Sequence, residues 1–108
     1  MPIRCVCAGL LLATCWPAAA LAADREAQGK ALLQAHCARC HSIEVSGRSP
    51  LEAAPPMRDI YGRYATRELR EELSEGVVSK HKEMPQISFS DDDVAAILAY
   101  LYDLARKK

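Results

Sequence analysis

Apolar positions recur at helical spacing in several places along the chain, and no stretch alternates like a strand. The clearest run is Val94, Ile97, Leu98, Leu101 and Leu104, at i, i+3, i+4, i+7 and i+10, which is one face of a helix. Ser90-Asp91-Asp92-Asp93 before it forms a capping-box-like start, with three carboxylates at the positive helix end. Arg106, Lys107 and Lys108 favour the negative end. Asp24 to about Cys37 reads as a second helix, with Ala27, Ala31, Leu32 and Ala35 at helical spacing and Asp24 as its cap. Gly29 inside it costs about 1 kcal/mol against alanine, so a packing reason is expected. A short helix spans Thr66 to Ser74, with Thr66 as N-cap and Gly76 ending it. Residues 42–66 hold Gly47, Pro50, Pro55, Pro56 and Gly62, residues 77–90 hold Pro85, and both read mainly as loop. The pattern predicts an all-α domain of two or three helices. Loops of that length in a small domain usually carry function, so something besides helix packing must organise them.

The first residues follow a different pattern. Arg4 is their single charge, an apolar stretch runs from about Cys5 to Trp16, and Pro17 breaks it. Small residues follow, and Ala20-Leu21-Ala22 supplies an A-x-A cleavage pattern. Residues 1–22 are therefore expected to be a cleaved export signal, with residues 23–108 as the working domain in the periplasm. An uncleaved anchor is an alternative, although the apolar core is shorter than the roughly 20 residues of a spanning helix. Leu12-Ala13-Thr14-Cys15 also resembles a lipid-attachment box, with Thr14 where Gly or Ala is usual.

Removing the leader changes the composition. The chain has 108 residues, with 14 basic and 14 acidic. Without Arg4 the domain keeps 13 basic and 14 acidic residues, so no basic face recommends nucleic acid or an anionic membrane as partner. Cys5, Cys7, Cys15 and Trp16 leave with the leader, and only Cys37 and Cys40 remain of five cysteines. So small an exported domain usually needs a staple such as a disulfide, a metal or a cofactor.

Cys37-Ala38-Arg39-Cys40-His41 is C-x-x-C-H, the attachment pattern of c-type haem. On a helical turn, residues three and four apart share a face. Both thiols then reach one porphyrin edge, and His41 lies beneath the ring to ligate iron. Three other readings compete. A thioredoxin-like pair needs a βαβ context, a zinc site needs two more ligands such as His36 and His81, and a Cys37–Cys40 disulfide closes too small a loop to stabilise much.

With these residues in view, the chain resembles the class I (mitochondrial-type) cytochromes c, particularly small monohaem bacterial ones, from roughly Gln28 to Leu104. The resemblance implies crossed N- and C-terminal helices, a short middle helix and long loops around one covalent haem c. Gly29, eight residues before Cys37, stands where that family has a glycine at the helix crossing. Leu33 takes the place of an aromatic or large apolar residue, and Ile97 and Tyr100 match the partner positions on the last helix. Pro55-Pro56-Met57 resembles a P-x-L motif, which implies that the Pro55 carbonyl holds the His41 ring and that Met57 packs on the haem. Tyr61-Gly62-Arg63 resembles an aromatic-Gly-Arg turn and makes Arg63 the candidate partner of a haem propionate. Met84-Pro85 resembles the distal-ligand motif, 43 positions after His41, and implies His41/Met84 ligation of the iron. His81 is the rival ligand, and Lys80 and Lys82 are substitutes at high pH. The working domain departs from mitochondrial relatives in lacking a tryptophan and a dense lysine ring. Arg39, Arg48, Arg58, Lys80 and Lys82 are left as a possible frame for the haem edge.

The function implied is single-electron transfer between redox proteins, with a periplasmic dehydrogenase as donor and an oxidase or reductase as acceptor. No enzymatic reaction, small-molecule substrate or nucleic acid is expected. A haem with a labile sixth ligand, serving a gas or peroxide sensor or enzyme, is one alternative. A cytochrome subunit of one dehydrogenase complex is another.

Overall fold

The computed structural model describes residues 18–76 and 84–108. They form four helices, α1 (Ala18–His36), α2 (Met57–Arg63), α3 (Thr66–Glu75) and α4 (Asp91–Lys107), and contain no strand. The fold is all-α, as the pattern predicts, with one helix more than expected. None of the helices is long and apolar enough to cross a membrane.

The last helix forms where its pattern places it. Ser90 is the N-cap, and its hydroxyl accepts a hydrogen bond from the Asp93 amide at 3.2 Å. Val94, Ile97, Leu98, Leu101 and Leu104 are all buried. α4 packs against each of the other three helices, most extensively against α1.

α1 corrects the expectation twice. It begins at Ala18, so Asp24 lies inside the helix rather than capping it. The run Ala18-Ala19-Ala20-Leu21-Ala22-Ala23 has high intrinsic helix propensity and carries the helix upstream. The buried face also differs, because α1 buries Gly29 and Leu33 and half-buries Leu32, while Ala27, Ala31 and Ala35 are exposed. Close backbone approach, rather than a stripe of alanines, defines the contact. A Cβ on Gly29 would lie 2.0 Å from the Ala96 carbonyl oxygen and 3.0 Å from the Tyr100 Cβ. Gly29 thus has the packing reason that its position in a helix calls for.

The middle of the chain holds two short helices rather than one. α2 follows Pro56 at its N-cap and points Met57, Ile60 and Tyr61 inward; its seven residues fall within the stretch expected to be loop. α3 ends at Gly76, whose φ of 93° suits glycine. Its N-cap is Ala65, not Thr66: the Glu68 carboxylate accepts from the Ala65 amide at 3.2 Å. The Thr66 hydroxyl instead donates to the Tyr61 hydroxyl at 3.4 Å.

Residues 42–56 are organised by their own polar contacts. The Ser42 amide donates to Ser49 Oγ at 3.0 Å, and the Met57 amide to the Ser42 carbonyl at 2.8 Å. Arg58 donates to the Gly47 carbonyl at 2.8 Å, to the Glu44 carbonyl at 3.3 Å and to Ser42 Oγ at 3.4 Å. Its guanidinium is therefore a clamp on this loop rather than part of a cationic frame around the cavity. Tyr100 fixes the same loop from the core by donating its hydroxyl to the Ile43 carbonyl at 2.7 Å. Burial, with smaller contributions from Glu44 and Asp103, pushes the phenol's pKa up, so the donor proton is retained.

Candidate functional site

The end of α1 continues as a turn through the C-x-x-C-H residues. The Cys37 amide donates to the Leu33 carbonyl at 2.8 Å, the Cys40 amide to the Cys37 carbonyl at 3.1 Å, and the His41 amide to the Cys37 carbonyl at 2.9 Å. That turn brings the two thiols and the imidazole to one cavity of about 500 Å³. Two stretches of chain line it. Residues 36–54 contribute His36, Cys37, Arg39, Cys40, His41, Leu51 and Ala54, and residues 84–89 contribute Met84, Pro85, Ile87 and Phe89.

His41 is buried, and its Nδ1 lies 2.7 Å from the Pro55 carbonyl oxygen. A carbonyl only accepts, so Nδ1 carries the ring proton and donates it there. In the neutral ring Nε2 is then left with a free lone pair, as a metal-binding imidazole requires. Cys37 and Cys40 are both free thiols. Burial, with a smaller contribution from Cys40, pushes Cys37 up to about 11. A thiol held neutral at ordinary pH is a poor dithiol-exchange nucleophile, and the described residues provide no strand for a βαβ redox fold. Nor do three or more of their His, Cys, Asp or Glu side chains converge closely enough to hold one metal ion, as a zinc site needs.

The residues singled out from the sequence therefore divide. Cys37, Cys40, His41 and Met84 line one cavity, and Pro55 acts on it through His41. Met57 is buried in the core with Leu33, Ile43 and Ile97, with Cys37 and Ala38 packed against the same cluster. Arg63 is exposed at the end of α2 and is not on the cavity wall. It contributes instead to lowering the pKa of Asp59, which is lowered chiefly by a hydrogen bond from Lys108. The wall carries Arg39. Lys80, His81 and Lys82 lie outside the described residues.

Leu51, Ala54, Ile87 and Phe89 are wall residues that the sequence pattern did not single out. One signal for Phe89 was present. It precedes the N-cap Ser90, with Val94 four positions into the helix, which is the spacing of a hydrophobic staple. Phe89 does pack against the cluster of Leu69, Val94 and Leu98.

Two thiols on one turn, an imidazole with a free Nε2 and an apolar wall fit a covalently held haem. No curated protein and no solved structure matches the chain. The family model described as Cytochrome c matches residues 26–105, from within α1 to within the last turns of α4. Both the C-x-x-C-H turn and the helix crossing fall inside that span. The chain belongs to the cytochrome c family, which binds haem c covalently, with its iron, for electron transfer.

Proposed function

We propose that this protein is a periplasmic electron carrier in which His41 and Met84 are the two axial ligands of the haem iron. The observation that carries the reading is that Met84 lines the same cavity as His41, Cys37 and Cys40. Bound haem c supplies a one-electron Fe(III)/Fe(II) couple, whose potential a thioether ligand raises relative to two histidines. The chain's own residues do the rest. Cys37 and Cys40 hold the group through thioether bonds. His41 presents Nε2 to the iron, and Pro55 keeps the imidazole proton on Nδ1 and the ring in one orientation. Leu51, Ala54, Ile87 and Phe89 exclude water, which keeps reorganisation small. Met57 supports the site from the core.

With both axial positions filled, no substrate reaches the iron, and the protein acts as a carrier rather than an enzyme. Its partners are larger redox proteins, a dehydrogenase as donor and an oxidase or reductase as acceptor, met through small transient interfaces. Export rests on residues 1–22, with cleavage after Ala22.

The test is an absorption spectrum of protein matured with the c-type attachment machinery, with carbon monoxide added to the reduced form. A low-spin c-type spectrum, the weak methionine–iron band in the oxidised form and no response to the gas are expected. A marked shift on adding gas would mean an open or labile sixth position and would overturn the carrier reading.

A further inference from the structure

His36 ends α1 and immediately precedes the first attachment cysteine. Although exposed, it lines the cavity, and its ring stands edge-on to Phe89, with centroids 5.4 Å apart and planes at 78°. That is the T-shaped arrangement aromatic rings prefer. Phe89 is fixed from its other side. Its amide donates to the Leu73 carbonyl at 2.9 Å, and its ring packs on Leu69, Val94 and Leu98. Phe89 is therefore held between the end of α1 and the α3/α4 pair. It is also the last residue of the short stretch that carries Met84, with Pro85 and Ile87 between them on the same wall.

We propose that His36 is a positioning residue for the sixth ligand. Its contact with Phe89 ties the attachment segment to the 84–89 stretch and sets how firmly Met84 stays on the iron. The inference rests on the His41/Met84 reading. The physical argument is mechanical. An incoming ligand displaces Met84 more easily when the 84–89 stretch yields, and an edge-on ring pair joining that stretch to the covalently anchored turn opposes the movement. Among the described residues His36 belongs to neither core cluster, so core packing does not explain its ring.

The experiment compares the oxidised haem-loaded wild type with His36→Ala, His36→Phe and Phe89→Leu. Each is titrated with added imidazole while the methionine–iron band is followed. His36→Ala and Phe89→Leu should bind imidazole about 2- to 10-fold more tightly, the span expected from losing one aromatic pair. His36→Phe keeps a ring edge and should return the affinity to the wild-type value, which a general loss of stability would not do. Phe89→Leu leaves the attachment segment untouched, so it tests the contact even if His36→Ala matures poorly. Wild-type affinity in Phe89→Leu, with the band present in the wild type, would overturn the role of His36 and leave His41/Met84 ligation standing. Absence of the band in the wild type would overturn the ligation reading and this inference with it.

Discussion

The two stretches that line the cavity are held in different ways. Residues 37–56 are tied down from within and from the core. His41 bonds Pro55, Ser42 bonds Ser49 and Met57, Arg58 spans Ser42 to Gly47, and Tyr100 reaches Ile43. Residues 84–89, by contrast, lean on their neighbours. Among the described residues their backbone bond to the rest of the chain is the one from Phe89 to Leu73. His41 thus arrives with orientation and tautomer already set. Among the described residues, the stretch that carries Met84 is joined to the rest of the chain at Phe89. On the proposed ligation, such a site would have one firmly held ligand and one whose hold could be tuned without disturbing the other.

The largest effect should come from Gly29→Ala, which disturbs the frame behind both stretches. Its Cβ meets backbone, the Ala96 carbonyl, at 2.0 Å, and a helix backbone cannot turn aside as a side chain can. Destabilisation of about 2–3 kcal/mol is expected, read by urea denaturation of the haem-loaded protein. A change within experimental error would show that the α1–α4 crossing is looser than its geometry.

Tyr100→Phe acts on the first stretch alone. It removes the hydroxyl that reaches the Ile43 carbonyl and leaves that acceptor without its partner. A loss of about 1–2 kcal/mol is expected, with faster amide exchange around residues 42–47 and an unchanged methionine–iron band. Loss of the band would break the separation drawn between the two stretches.

The smallest effect belongs to an ion cluster that touches neither stretch. Asp103 is held below the usual carboxylate range by a hydrogen bond from Lys107, with Arg106 adding a second. A carboxyl lowered in the folded state contributes stability above its unfolded pKa of about 3.9, and that contribution is lost as pH falls through the folded value. Both cations are half-exposed, so the contribution is screened. Asp103→Asn should cost only about 0.5 kcal/mol at neutral pH, and the difference from wild type should vanish in acid. Urea midpoints at several pH values check the sign, and a difference that grew on acidification would contradict it.

What could be read in advance follows the same division. α4 was legible because a cap, a periodic face and a basic end all agree in one short stretch. Gly29 was legible as a cost without a local benefit. α1's true inward face was not, because its alanines recur at helical spacing yet stay exposed, and only the partner helix decides which side turns in. α2 was hidden by its brevity and by the prolines before it, although Met57, Ile60 and Tyr61 do follow helical spacing. Cys37, Cys40 and His41 could be read from spacing alone, and Pro55 only through the family resemblance. Leu51, Ala54 and Ile87 carry no local mark, since loop residues become a wall only when distant parts of the chain meet.

The crossing of α1 and α4 also bears on how the molecule assembles. Gly29 and Ala96 meet backbone to backbone although 67 residues separate them, and every residue that lines the cavity lies between them. Bringing those points together costs about 4 kcal/mol of chain entropy by the logarithmic law for a loop of that length. Contacts so distant along the chain slow folding relative to local ones. Once made, this one contact confines all of the cavity-forming residues within a closed loop and shortens the search that each must still complete. The glycine that removes a clash in the finished fold thus also stands at the contact that closes this loop.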